Sequence, residues 1–304
     1  MRERVVVPGL TVSVVGVGCN NFGWRLDVGR TRDVVDEAIA AGITLFDTAE
    51  SYGDGDSEEF LGRAIAGRRE RVVIATKFGW GSGRDDNSIA RGHPDYVRGA
   101  IEGSLQRLGT DYIDLYQYHR PDGVTPIEET LGAMSELVDE GKVRFIGSSN
   151  FSARQVEEAA AVAADRGFAR FVTEQSRYSW LERGAEDELI PACERLGVAL
   201  LPYFPLASGL LTGKYRRNEP EPAGTRLSGR LEVSSEQWSK IEALERFGAA
   251  RGLSLLETAI GWLGAQPTVC SVIAGAMSPA QVRANAAAAA WEPTAAELDE
   301  LRAL

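Results

Sequence analysis

An alternation of short apolar runs with segments of helical periodicity extends through most of the chain and constrains its fold more than any other feature. Runs such as 71–76, 113–118 and 143–148 are typical of buried strands. Each is followed by a polar loop and then by apolar residues three or four positions apart. Eight such alternations in 304 residues predict one (β/α)8 barrel domain (a TIM barrel) over 1–304. The alternation of apolar runs and helical segments stops at 204–233, which predicts a long loop after the seventh barrel strand.

A doubly wound enzyme of two domains is the structural alternative. Such an enzyme would carry a Gly-x-Gly-x-x-Gly phosphate loop directly after its first strand. No such motif follows the first strand-like runs, which lie on either side of Pro8 and Gly9. The barrel is therefore the favoured interpretation.

Local signals predict where individual elements begin and end. Thr31 is a plausible N-cap for the first helix, and Pro94 is expected to be the first residue of a later helix. Ser152 with Gln155 forms a capping-box pattern. The apolar stretch 269–273 predicts the eighth barrel strand.

Net charge and hydropathy exclude several partners. The formal charge of −11 disfavours nucleic acid and anionic membranes as partners. No apolar run approaches the roughly 18 residues that a membrane span requires. Pro8 and Gly9 interrupt the apolar start, which is unlike a secretory signal peptide. We expect a cytoplasmic protein, and the sequence does not determine its oligomeric state.

The few cysteines and histidines argue against disulfides and metal. Cys19, Cys193 and Cys270 are odd in number and far apart, which fits a reducing compartment. His93 and His119 are the two histidines of the chain. Without a Cys-x-x-Cys pattern or a histidine pair, a zinc site is not expected.

Four chemically distinctive side chains lie at or just after the ends of three successive strand-like runs. Asp47 follows the run 43–46, and Tyr52 lies five residues later in a Gly-rich loop. Lys77 ends the next run and His119 the one after it. Catalytic groups of a barrel gather at the C-terminal ends of its strands, so we expect these four to form one site.

This combination is suited to protonating an oxygen on which negative charge develops. A phenol has a pKa near 10, and a neighbouring ammonium group would lower it. Asp47 would keep Lys77 charged, and His119 would donate a hydrogen bond to a carbonyl oxygen. With no nucleophile or metal in the set, the sequence predicts carbonyl reduction by a hydride from a nicotinamide. Schiff-base chemistry at Lys77 stays open, and each residue taken alone could be structural.

Several separate stretches together resemble one known family. They are 46–53 (FDTAESYG), 75–77 (ATK), 116–122 (YQYHRPD), 141–152 (GKVRFIGSSNFS) and 205–215 (PLASGLLTGKY), in this order. The chain resembles an aldo-keto reductase over essentially its whole length. The resemblance implies a barrel closed at its base by an N-terminal β-hairpin, and NADPH bound without a Rossmann domain. It also implies that Tyr52 is the general acid, that Lys77 and Asp47 tune it, and that His119 orients the carbonyl.

The same resemblance implies a set of cofactor contacts. Ser149, Asn150 and Gln175 would hold the nicotinamide carboxamide, and Tyr203 would stack on the ring. The remaining implied contacts are Gly18, Cys19, Asp47, Pro205, Leu206, Ala207, Gly209, Lys214, Arg226, Gly275, Met277, Gln281 and Asn285.

Two departures from the family pattern bear on specificity. Many members grip the 2′-phosphate with a Lys-Ser pair and an Arg, where this chain has Gly275, Ala276 and Gln281. The same Gly/Gln version occurs in a branch that uses NADPH, so NADPH is favoured over NADH. Phe204 replaces the usual small Ser before Pro205.

Aromatic side chains are the candidate walls of the substrate pocket. Trp24 and Trp80 would contact a small carbonyl substrate together with Tyr52 and His119, and Phe151 and Trp180 are further candidates. The functional alternative is a nucleotide-sensing, largely non-catalytic barrel subunit, because one branch of the family includes channel-associated members.

Overall fold

The structure is a computed structural model that describes residues 1–80, 89–222, 225, 227, 229 and 231–304. The strands are β1 (Glu3–Val7), β2 (Leu10–Ser13), β3 (Val15–Gly18), β4 (Leu45–Asp47), β5 (Val73–Phe78), β6 (Ile113–Tyr118), β7 (Val143–Ser149), β8 (Phe171–Arg177), β9 (Ala199–Tyr203) and β10 (Val272–Gly275). The helices are α1 (Val28–Ala40), α2 (Asp56–Ile65), α3 (Pro94–Leu108), α4 (Ile127–Asp139), α5 (Ala153–Arg166), α6 (Leu189–Leu196), α7 (Ser235–Ala249), α8 (Leu255–Gly264), α9 (Pro279–Ala288) and α10 (Ala295–Arg302).

Eight parallel strands form the barrel. They are hydrogen bonded in the order β10-β3-β4-β5-β6-β7-β8-β9. At the seam between β9 and β10, the Leu200 amide donates to the Thr268 carbonyl at 2.7 Å, and the Cys270 amide donates to the Leu200 carbonyl at 2.9 Å. The predicted (β/α)8 barrel is confirmed, with helices packed around it and a long segment between β9 and α7.

Several predicted boundaries are correct because side-chain chemistry decides them. Pro94 is the first residue of α3. Ser152 and Gln155 form the expected capping box of α5, whose Val156, Ala159 and Ala163 are buried. These caps satisfy amides that have no partner within the helix.

Two boundaries were predicted wrongly. Helix α1 begins at Val28 because the Asp27 side chain accepts a hydrogen bond from the Arg30 amide at 2.9 Å, and Thr31 is buried inside the helix. The eighth barrel strand is Val272–Gly275 rather than 269–273, because its register is set by pairing with β3. Within the described residues, no helix is both long and apolar enough to cross a membrane.

An antiparallel hairpin of β1 and β2 closes the N-terminal end of the barrel. Leu10 and Val12 pack in one apolar cluster with Leu45, Ala75 and Leu115, which lie on barrel strands. Hydrogen bonds from arginine side chains also hold the hairpin in place. The Arg4 guanidinium donates to the carbonyls of 264, 266 and 269 near the seam, and Arg144 donates to the carbonyl of residue 9 at 2.9 Å.

Candidate active site

Strand register places the predicted site residues at the C-terminal mouth of the barrel. Asp47, the last residue of β4, is paired with Gly18 of β3. Lys77 of β5 is paired with Gln117 of β6. Because parallel strands end at the same edge, these side chains converge at one end of the cylinder.

The Lys77 ammonium group connects Asp47 to Tyr52. Its Nζ atom donates to Asp47 Oδ2 at 2.7 Å, to the Thr48 carbonyl at 2.9 Å and to the Tyr52 hydroxyl at 3.4 Å. Lys77 is fully buried and Asp47 nearly so. A buried charge of this kind requires a paired, hydrogen-bonded partner, and the three acceptors satisfy all three ammonium protons.

The second oxygen of Asp47 is held by amide side chains inside the barrel. Gln175 Nε2 donates to Asp47 Oδ1 at 2.8 Å, and Gln117 Nε2 lies 3.4 Å from the same oxygen. Gln117 was not singled out from the sequence. Its signal is a polar residue within the buried strand β6, where its side chain is fully buried.

Burial and charge act in opposite directions on the pKa of Tyr52. Burial raises the pKa of the phenol and Lys77 lowers it, and the net direction is upward. The expectation that Lys77 leaves the phenol with a lowered pKa is therefore corrected, because burial is the larger effect. Burial pulls the pKa of Lys77 down, but Asp47 and Tyr52 raise it overall, so this ammonium remains charged.

His119 lies beside Tyr52 as a neutral imidazole. The two rings are in edge contact with centroids 5.8 Å apart, and the Trp80 ring lies 4.9 Å from His119 on the cavity side. Burial, followed by the charges of Lys77 and Arg120, lowers the pKa of His119 to about 2. Its buried Nδ1 atom has no hydrogen-bond partner in the part of the chain that the structure describes.

The neutral state of His119 predicts a pH dependence of stability. Its folded pKa lies below its unfolded value of about 6.5, so its contribution is present above pH 6.5 and is lost on acidification. Relative to His119→Gln, the wild-type protein should lose about 2 kcal/mol of unfolding free energy between pH 7 and pH 5. Urea denaturation at both pH values measures this difference, and equal losses in the two proteins would contradict it.

A strained turn after β7 brings four predicted cofactor residues together. Asn150 has a φ of +59°, which is uncommon outside glycine. Its Nδ2 donates to the His119 carbonyl at 3.0 Å, and the Tyr203 hydroxyl donates to its Oδ1 at 2.7 Å. The Ser149 hydroxyl donates to the Gln175 carbonyl at 2.9 Å. The turn is therefore fixed from three neighbouring strands, which suits a site that must be preformed.

A cavity of about 1090 Å³ opens directly over these groups. Its wall includes Tyr52, His119 and the predicted cofactor residues Gly18, Asp47, Ser149, Asn150, Gln175, Tyr203, Pro205, Leu206, Gly209, Lys214, Gly275, Met277, Gln281 and Asn285. Of the remaining predicted cofactor residues, Cys19 and Ala207 do not line it, and Arg226 lies outside the described residues.

The residues present fit a dinucleotide. The volume is at the upper end of what small-molecule sites occupy. A Cβ atom added at Gly275 would meet only the Asn21 and Asn20 amides, at 3.7 and 4.0 Å, so this position leaves an open polar cradle. The nearby helix α9 has no acidic residue in its first turn and is capped by Ser278, which favours a phosphate at its N-terminus.

The predicted aromatic walls separate into two groups. Trp80 lines the cavity beside His119, with the Arg120 guanidinium 4.6 Å from the centre of its indole. Trp24 is 66% exposed and does not line the cavity. Phe151 and Trp180 are buried in hydrophobic clusters and do not line it.

Other cavity-lining residues were missed by the sequence analysis. They are Asn20, Asn21, Arg25, Ser51, Asp54, Arg177, Ser208, Thr212, Thr225, Leu256, Ile273 and Ala284. Ser51, Ser208 and Thr212 lie within the stretches 46–53 and 205–215 but were not singled out there, and most of the others lie outside any distinctive local pattern. The sequence signal for Arg25 is a cation directly after a tryptophan, and its guanidinium lies 4.3 Å from the Trp24 ring centre.

Comparisons with known proteins place the chain in one family. The sequence profile of the Aldo/keto reductase family matches residues 14–304. The uncharacterized oxidoreductase YrpG of Bacillus subtilis (strain 168) is 38% identical over 285 residues, covering 90% of this chain and 86% of that protein. A probable voltage-gated potassium channel subunit beta of Oryza sativa subsp. japonica is 36% identical over 290 residues, covering 91% and 87%.

A solved structure is similar throughout the chain. The holo form of the aldo-keto reductase AKR11C1 from Bacillus halodurans has a TM-score of 0.83 and 32% sequence identity. The similarity covers 100% of this chain and 96% of that one.

Proposed function

The chain belongs to the aldo/keto reductase family and is an NAD(P)H-dependent oxidoreductase of small carbonyl compounds, and from this premise we propose that it reduces an aldehyde or ketone with NADPH, using Tyr52 as the general acid. One observation carries the proposal. The Tyr52 hydroxyl lies at the cavity wall, 3.4 Å from an ammonium group that is itself bound 2.7 Å from a carboxylate. A proton donor, its tuning cation and a counter-ion are thus in one chain of contacts.

The nicotinamide cofactor, when bound, would supply the hydride for the carbonyl carbon. Ser149, Asn150 and Gln175 would hold its carboxamide, because their polar side chains meet at the cavity wall. The Tyr203 ring, tied to Asn150 by its hydroxyl, would form the face against which the nicotinamide packs. Lys214 would meet the negative charge of the pyrophosphate.

Tyr52 would give its proton to the oxygen of the reduced carbonyl. The raised pKa of the phenol keeps that proton in place at neutral pH. Lys77 would stabilise the phenolate that remains, because its ammonium is already adjacent to the hydroxyl. The neutral His119 imidazole would donate a hydrogen bond to the same carbonyl oxygen without transferring a proton itself.

Fluorescence titration with NADPH and NADH, followed by a panel of carbonyl compounds, tests the proposal. We expect tighter binding of NADPH and its oxidation by activated aldehydes. Binding without turnover on the whole panel would contradict the reductase function. Equal affinity for NADH would contradict the cofactor preference alone.

Lys214 offers a separate prediction for the phosphate contact. Lys214→Met should weaken NADPH and NADH about equally, by roughly tenfold, because the pyrophosphate is common to both. Lys240→Met removes an exposed lysine on α7 that is ion paired with Glu236, and serves as the matched control. Unchanged affinities in Lys214→Met would show that the pyrophosphate is held elsewhere.

A nucleotide-sensing subunit with little turnover is the second candidate. The observation that favours it is the similarity to proteins named as probable potassium channel beta subunits. It predicts tight NADPH binding and negligible turnover. The carbonyl panel therefore separates the two functions.

A further inference from the structure

A buried carboxylate lies directly behind the proposed nicotinamide site. Glu174 and Gln175 are consecutive in strand β8, so their side chains face opposite sides of the sheet. Gln175 reaches Asp47 inside the barrel, whereas Glu174 lies on the outer side and is fully buried. No step of the proposed reduction uses Glu174.

Glu174 binds both ends of the Ser149–Asn150 turn. Its Oε2 atom accepts a hydrogen bond from the Ser148 hydroxyl at 2.5 Å. Its Oε1 atom accepts from the Phe151 amide at 3.2 Å and from the Ser176 hydroxyl at 2.7 Å. Residues 148 and 151 flank the turn, so one carboxylate holds both of its ends from the outer side of the sheet. We call this set of contacts the Glu174 clamp.

The turn that Glu174 contacts holds a backbone conformation that is uncommon outside glycine. The positive φ of Asn150 costs on the order of 1 kcal/mol in a non-glycine residue. In return, Asn150 presents its amide to the Tyr203 hydroxyl and the His119 carbonyl. Loss of the clamp would let the turn relax, and the groups proposed to hold the carboxamide would move with it.

The Glu174 carboxylate carries a charge that no cationic side chain among the described residues compensates. Among the described residues, Glu174 forms no ion pair with a lysine, arginine or histidine. Burial raises the pKa of Glu174 to about 7, against hydrogen bonds from the two serines and the backbone that lower it. A titratable group near it is Cys193 of α6, whose pKa is raised to about 12 by burial and by Glu174 itself.

The charged form of Glu174 therefore opposes stability at neutral pH. A carboxyl whose folded pKa exceeds its unfolded value contributes stability at low pH, and this is lost as the pH rises through about 7. A buried charge that disfavours the fold is commonly retained for function. The contacts of Glu174 indicate that this function is to hold the turn at the proposed cofactor site.

We propose that Glu174 is a positioning residue for the nicotinamide: its ionised carboxylate holds the turn from Ser148 to Phe151 in the binding conformation, and its protonation weakens cofactor binding. An ionised carboxylate only accepts hydrogen bonds and matches the three donors that face it. A protonated one carries an O–H on one oxygen, so a donor that faces this oxygen must turn away or lose its contact. This inference rests on the proposed use of a nicotinamide cofactor.

The test is the affinity for NADPH measured by fluorescence at pH 8 and pH 6 in the wild-type protein and in Glu174→Gln. At pH 8 we expect Glu174→Gln to bind about tenfold more weakly, since it loses hydrogen bonds to a charged acceptor. The wild-type affinity should fall between pH 8 and pH 6 by more than that of Glu174→Gln. Titration of the ligand phosphate affects both proteins equally and cancels in this comparison.

A matched variant separates positioning from general loss of a buried glutamate. Glu58→Gln alters another fully buried glutamate, which lies on helix α2 and is paired with Arg107 of helix α3. This variant should leave the pH dependence of NADPH binding unchanged. Amide hydrogen exchange at Phe151, without ligand, should be faster in Glu174→Gln. Wild-type affinity and pH dependence in Glu174→Gln would overturn the positioning role, whereas failure of the wild-type protein to bind NADPH would overturn the proposed function.

Discussion

Replacing Tyr52 with phenylalanine is expected to lower kcat for an activated aldehyde by about 10²–10⁴-fold, the usual contribution of a general acid. The variant keeps the ring beside His119 and loses only the hydroxyl that Lys77 contacts. The Kd for NADPH should therefore remain close to that of the wild-type protein. Stopped-flow or steady-state oxidation of NADPH measures the rate, and fluorescence titration the affinity.

Tyr112→Phe is the matched control for this substitution. Tyr112 lies before strand β6, at the opposite end of the barrel from the site, with its ring against the Arg69 guanidinium. Its hydroxyl is not part of the proposed chemistry, so kcat should be unchanged. Equal turnover in Tyr52→Phe and Tyr112→Phe would exclude the phenol as proton donor.

Replacing Lys77 with methionine is expected to remove activity and to lower the unfolding free energy by about 3–5 kcal/mol. The reason is the Asp47 carboxylate, which would remain buried without its counter-ion. Gln175 and Gln117 would still donate to its other oxygen but carry no charge. Urea denaturation at pH 7 measures the loss.

A second variant shows whether the uncompensated charge is the cause. Lys77→Met combined with Asp47→Asn should recover much of the stability while remaining inactive, because the charge is removed with its partner. Lys142→Met, at a partly exposed surface lysine paired with Glu102 and Glu140, should leave the denaturation midpoint nearly unchanged. If the double variant is no more stable than Lys77→Met, the buried charge does not explain the loss.

The barrel could be predicted from the sequence because its determinants are repetitive. Alternating apolar runs and helical segments define strands and helices, and parallel strands bring their C-terminal ends together. The position of Asp47 and Lys77 at strand ends therefore followed from local patterns. The closing hairpin depended on resemblance, since two short strands do not reveal which end of a barrel they cover.

Other features depend on burial and on contacts between distant residues, which local patterns do not encode. The net direction of the Tyr52 pKa results from desolvation outweighing the nearby ammonium. The clamp by Glu174 requires serines and a backbone amide from two strands to meet one carboxylate. The N-cap at Asp27 was missed because Thr31, four residues later, carries an equally plausible capping side chain.

The pairing of β3 with β10 has a consequence for biosynthesis. The first barrel strand to leave the ribosome finds one of its two neighbours only after more than 250 further residues have been made, since β10 ends at Gly275. Until then a nascent chain exposes unpaired strand edges, which are prone to self-association. We infer that the cylinder closes only after β10 has been made, so products truncated before β10 should aggregate rather than fold partially.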